Sequence, residues 1–440
     1  MTHPKSFVVV STPPRNKRTL ALLAAPLLAA LSAASASAQS VWSANASGDA
    51  SGSWATAANW NPAAVPNSNS AIADFSQQNI TAASTVTLDG AQTVSALIFG
   101  DTDTTTAATW TLAAGSSGTL TLATASGAPS ITVNTSTAII SAPIAGTQGF
   151  TKLGSGTLAL SGANTFTGGV TVTAGILTLS GVTASSTELG TNIVTLNGGA
   201  VLFNTASSTF SQGLVANSAT SSTLTYNKGS NYFSPTSLTG SGQITLNQGT
   251  GASNTVTLTG DYTNFTGTLV LANKNFRFSS TTGAYNLTGG ASTAWVLGDG
   301  AQLSSQGGTN FTQTYSLGSL SSTVSTSILS GGAVSGAGTL FYQIGSLNQD
   351  RTLRGLDCGW RDQNGPHQSR HRHAYALRYG FLQWCHQRQC RHAKSGGNFY
   401  RLHGDYRQCG SNVHGGDRFE PEWWFVAGGQ WGHGEYPRRG

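Results

Sequence analysis

GFTKLGSGTLALSGANTFTGGVTVTAGILTLSG, residues 149–181, decides the fold. Leu158 and Leu160, Val170 and Val172, then Ile176, Leu177 and Leu179 mostly recur with period two, which sends alternate side chains to opposite faces of a strand. Between these runs stand Gly154, Gly156, Gly162, Asn164, Gly168, Gly169 and Gly175, residue types that accept a positive φ or make tight corners. Each strand is therefore bounded by a turn within a few residues. One such rung has too little apolar surface to fold alone, so the stretch reads as one unit of a stacked β structure.

The residues Thr151-Lys152, Gly154-x-Gly156-Thr157-Leu158-x-Leu160-Ser161-Gly162-Ala163-Asn164-Thr165, Phe166-Thr167-Gly168, Val170-x-Val172 and Ala174-Gly175 resemble the passenger-associated transport repeat, also called the autotransporter-associated β-strand repeat. That family occurs in the exported passengers of bacterial autotransporters, and the resemblance covers one repeat. It implies an all-β, right-handed parallel β-helix and export, with no catalytic site. Lys152 matches a position of the resembled repeat, and its charge reads as an exposed edge residue that discourages sheet aggregation.

Outward from this unit, strand patterns come regularly from Ile80: TVTLDG at Thr85, ALIFG at Ala96, TWTLAAG at Thr109, GTLTLATASG at Gly118 and ITVN at Ile131. A degenerate copy, Leu258 to Leu271, parallels Leu160 to Val172 with one residue inserted, and Ser335 to Leu340 repeats the opening turn. At about 20 to 25 residues per rung, residues 80–350 hold roughly a dozen rungs. Low charge and abundant glycine could also mean disorder, but Val, Ile and Leu at strand spacing favour order by stacking. Residues 39–79 carry Trp42, Trp54 and Trp60, read as a cap over the open end of the solenoid, with Pro62 and Pro66 blocking strand extension. A platform for stacking sugars is the rival reading of these rings.

Residues 1–38 read as a cleaved secretory signal: Lys5, Arg15, Lys17 and Arg18 precede an apolar run from Leu20 to Leu31, and Ala36-Ser37-Ala38 precedes Gln39. The run contains Pro26 and is short for a retained membrane anchor. Formal charge is +4 here, −5 over 39–350 and +7 over 351–440, giving the net +6. The body is thus mildly acidic, which excludes a nucleic-acid reading based on the basic total.

After Asp350 the composition changes: all 4 cysteines, eight of 9 histidines and half of the 10 tryptophans follow it. His371, His373, Cys385, His386, Cys390 and His392 have the residue types of a zinc site. The reading favoured here is that 351–440 is further repeat sequence translated out of frame, and unstructured for want of patterned apolar residues. Arg370 to Arg378 can be encoded so that reading one base later gives Gly-Thr-Gly-Thr-Leu-Thr-Leu-Ser-Gly, nearly Gly154 to Gly162, and Trp384 must become glycine. Nothing in the sequence provides the C-terminal β-barrel that anchors autotransporters, so it was lost beyond the slip or never present.

Catalysis on a β-helix needs paired carboxylates, or acids that hold calcium beside a base. The body has Glu188 and scattered aspartates, of which only Asp101 and Asp103 lie close in sequence. These two could offer oxygens to calcium with Thr104 to Thr106, but read better as a turn, as does Asp299 between Gly298 and Gly300. No catalytic, cofactor-binding or metal-binding residue is named. The expectation is a non-enzymatic, adhesin-like passenger, secreted or on the outer surface of a Gram-negative-type bacterium. Carbohydrate, extracellular matrix or other cells are its expected partners, reached through outer-membrane export machinery. A carbohydrate-active lyase or hydrolase, and a defective frameshifted product, are the alternatives.

Overall fold

The computed structural model describes residues 39–344 apart from 46–47, 104, 181–185, 191, 205–207, 228, 230, 250–254, 280–286, 306–312, 324–326, 330–338. It also describes the strand backbone at 351–353, 375–377, 380–385, 424–426 and 430–432. The signal-segment reading, the His/Cys cluster and most of the tail lie outside the described residues, as does the start of the Ser335 fragment.

Alternation becomes a parallel β-solenoid. One sheet runs through twelve strands from Gly52–Ser53 to Ser319–Ser322, and a second runs through eleven. Each strand of the longer sheet pairs parallel with its equivalent in the next coil, and the step varies from 19 residues (Thr157 to Ile176) to 34 (Gly52 to Val86). Coils are numbered here from the strand Gln39–Trp42, which opens the first face; Gly52–Ser53 opens the second. The fifth coil then holds Phe150–Leu153 and Thr157–Leu160, and the sixth Val170–Val172 and Ile176–Leu179. A third face carries strands in nine coils, in one run of three and another of six. The gap between the runs is the fifth and sixth coils.

In-register stacking builds the core as columns. On the second face Trp110, Ala138, Leu158, Leu177, Val201, Leu224, Leu246, Leu271 and Leu297 follow one another inward, all buried. A full rung supplies several such side chains at about 1.5–3 kcal/mol each. Small beside large, as in Ala138 beneath Trp110, keeps the lumen filled.

Parallel pairing starts before Ile80, since Gln39 already pairs with Ile72 and Gly52 with Val86. The end is closed by Trp60–Asn61, which pairs antiparallel with Val41–Trp42. Trp42, Trp54 and Trp60 are at most 2% exposed and pack with Phe75 at ring separations of 4.9 to 5.8 Å. Rings so enclosed present no face to a sugar, so they are core and not a platform.

The degenerate copy is rotated. Leu160 ends a second-face strand and Val172 lies on the first face, whereas Leu258 is on the third face and Leu271 on the second. Beyond Ile344 the pairing changes sense: Thr339–Ile344 pairs antiparallel with Gly380–Cys385, and Arg351–Leu353 antiparallel with Tyr375–Leu377.

Candidate functional site

The fifth and sixth coils hold a buried lysine, Lys152, and a bridging carboxamide, Asn164. Phe150–Leu153 alternates buried and half-buried, so Lys152 points inward with Phe150. Its neighbours in the inner column are Ile131 and Val172. Lys152 is 0% exposed; the expectation of an exposed edge charge is overturned, because strand phase overrides the preference of an ammonium for water. The amine reaches back to the corner and donates to the carbonyls of Leu153 at 2.8 Å, Gly154 at 2.9 Å and Ala174 at 3.2 Å. Three N–H groups meet three acceptors, two from its own coil and one from the next.

Burial lowers the Lys152 amine to about 8, while the three carbonyls oppose that shift by accepting from the charged form. At neutral pH the group remains an ammonium. Its seat needs a glycine at 175, which has φ +65° and whose missing Cβ would stand 2.9 Å from Nζ and 2.4 Å from the Gly156 carbonyl.

On the third face of the fifth coil, Asn164 does what a strand does elsewhere. Its Oδ1 accepts from the Ile144 amide at 2.9 Å and its Nδ2 donates to the Glu188 carbonyl at 2.8 Å. One carboxamide thus continues the ladder from the fourth coil to the sixth, as a peptide group would. Thr165 and Thr167 donate their amides to Ile144 and Gly146, and buried Phe166 meets Phe150 edge-on at 5.7 Å. Gly168 allows the close approach, since a Cβ there would stand 1.8 Å from the Gly149 nitrogen.

Acidic side chains are engaged locally. Asp101 Oδ1 accepts from the amides of Ile80 and Asp103; Asp103 accepts from the Thr105 amide and hydroxyl and the Thr106 hydroxyl. Those hydroxyl bonds hold Asp103 down at about 2. Asp261 is lowered by Thr263 and Thr288, and Asp49 by Ser51. Asp74 accepts from Gln39 and Ser76. Among the described residues no group of three or more His, Cys, Asp or Glu is placed to hold a metal ion. What the arrangement does chemically is satisfy backbone from inside the coil.

Sequence reading found Asn164 as a turn residue and missed its bridging role. It misplaced Lys152, although Phe150 two residues earlier gave the phase.

These features define an all-β parallel solenoid whose fifth and sixth coils form one polar-tied unit. Residues 150–179, the fifth coil and both strands of the sixth, match the family model described as passenger-associated-transport-repeat. Over 86 residues, 20% of this chain, the sequence is 45% identical to "Adhesin BmaC autotransporter" of Brucella suis biovar 1 (strain 1330). The matched part is 2% of that protein's length. No solved structure matches the chain.

Proposed function

We propose that this chain is an autotransporter passenger of adhesin-like character. It is carried through outer-membrane export machinery and presented on, or released from, a Gram-negative-type cell after removal of residues 1–38. Its long uncharged faces contact carbohydrate, matrix or neighbouring cells without catalysis. The observation that carries this reading is the match of residues 150–179 to a passenger repeat seated within a continuous parallel ladder. The similarity to an adhesin supports it. So do the aspartates at positions 49, 74, 103 and 261, whose carboxylates are taken up by hydrogen bonds from neighbouring Ser, Thr and Gln side chains. Expression of the full chain in a Gram-negative host tests it. Protease on intact cells should remove the solenoid, the exported form should begin at Gln39, and such cells should be retained on glycan or matrix surfaces. An unprocessed, protease-protected chain with no retention overturns the proposal.

A second reading has its own support. The composition break at Asp350 coincides with the change from parallel to antiparallel pairing past Ile344, which suits a product whose last ninety residues are out of frame. Sequencing the gene through codon 350 decides it: a one-base slip restoring repeat sequence is expected, and an intact frame with homologous tails elsewhere rules it out.

A further inference from the structure

The alternating apolar pattern that builds the ladder does little to fix its register. If the sixth coil slips two residues along the fifth, Leu158 meets Leu179 in place of Leu177, and Phe150 meets Val172 in place of Val170. Inward residues stay inward, because side-chain direction has period two. Leu158 and Phe150 keep apolar partners in such a slip, and only Leu160 loses one, exchanging Leu179 for Gly181.

We propose that Lys152 and Asn164 set the register in which the sixth coil docks on the fifth, because each holds a carbonyl of the sixth coil that only one alignment presents. For Lys152 that carbonyl belongs to Ala174, at the bend before Gly175. A two-residue slip replaces it with Val172 or Ile176, both strand residues, and the Val172 carbonyl already accepts from the Asn197 amide. The third N–H of the ammonium would then be buried without its acceptor, at a cost well above that of exchanging one leucine contact for another. Half-buried Asn164 applies a milder test on the third face, where its donor requires the Glu188 carbonyl while its acceptor stays tied to Ile144 in the fourth coil. The two ties stand on different faces, so no single slip satisfies both. Buried polar groups have such a registry role elsewhere, when their partners exist in one alignment alone. From the second coil to the twelfth, the third face has a strand in each coil except the fifth and sixth. Asn164 thus stands where the third face lacks a strand.

Disulfide trapping in the full chain tests this, with Cys358, Cys385, Cys390 and Cys409 changed to serine. One reporter pair is Thr157→Cys with Ile176→Cys, which are ladder partners. At about 4.8 Å between neighbouring strands they lie within disulfide reach. The other pair is Thr157→Cys with Thr178→Cys, about 8 Å apart in the native register and beyond that reach. In the parent, oxidation should link the first pair alone. Adding Lys152→Met and Asn164→Leu together should let the second pair form, at about a tenth of the first pair's yield or more; either change alone should leave the second pair unlinked. The proposal is overturned if the double variant still links only the first pair, if the parent links the second, or if the double variant loses its β-sheet circular dichroism, since a register device leaves the coil intact.

Discussion

The fifth and sixth coils and the coils that follow them solve one problem in two ways. In Phe150 to Leu179 the core is aliphatic apart from Phe150 and Phe166, the third face is a loop where Asn164 supplies bonds that a strand would otherwise make, and Lys152 ties carbonyls at the corner between the first two faces. From the seventh coil onward the third face is a six-stranded sheet, and aromatic rings stack up the lumen: Phe203 on Tyr226 at 4.6 Å, Tyr262 on Trp295 at 5.9 Å, Phe278 on Tyr315 at 4.5 Å. A narrow coil with a looped side leaves backbone groups to be satisfied by side chains. In the later coils, with three strands, rings fill the lumen, and buried amides such as Gln212 and Gln248 still reach carbonyls of neighbouring coils. The recognisable repeat therefore marks the first solution, and the rung is the more general unit.

The comparison breaks first at the rings. Trp295→Ala should cost about 4 kcal/mol, seen as a fall in the urea midpoint; an effect below that of Leu177→Ala would show that the aromatic lumen is loosely packed. Lys152 gives the next largest effect. The unfolded chain keeps this proton to about 10.5 and the folded one releases it near 8, so between those values the unfolded state binds more protons and stability rises with pH. Wild type should gain up to about 3 kcal/mol over that window, and Lys152→Met should show no such rise when both are unfolded in urea at a series of pH values.

Asn164→Asp keeps the shape but sets a carboxylate against the Glu188 carbonyl, and should cost about 2 kcal/mol at neutral pH. Here the folded form favours the protonated acid, raising its pKa, so stability returns as pH falls toward about 4. An equal loss at both pH values would mean that the bridge is not what Asn164 provides. Smallest of all is Tyr262→Phe. The Tyr262 hydroxyl is buried without a hydrogen-bond partner, so its removal should be neutral or stabilising by up to about 1 kcal/mol; a clear loss by the same unfolding measurement would place a water on that hydroxyl.

Strand positions were legible because period two survives in every coil: TVTL, ALIF, TWTL and ITV are all strands of the ladder. Coil length was less so. Bends absorb insertions without disturbing pairing, so steps run beyond the 20 to 25 residues expected. The copy at Leu258 looked equivalent to Leu160 because leucine, glycine and an aromatic recur in the same order, yet pairing places it one face further round. Local sequence encodes a strand and its turn, and which face they occupy depends on every bend before them. The expectation for Lys152 let chemistry override phase: a charge was assigned to water although Phe150 fixed its direction, and two of its three acceptors, Gly154 and Ala174, lie in bends that no local pattern reveals.

The antiparallel strand Trp60–Asn61 has a consequence for assembly. A stack of identical rungs is an open-ended template, on whose first strand another molecule could lay its own last rung and so lengthen into a fibre. A two-residue strand running the opposite way, followed by Pro62, offers an incoming parallel chain the wrong spacing of donors and acceptors. Axial addition of a parallel rung is thereby opposed on the first face at that terminus.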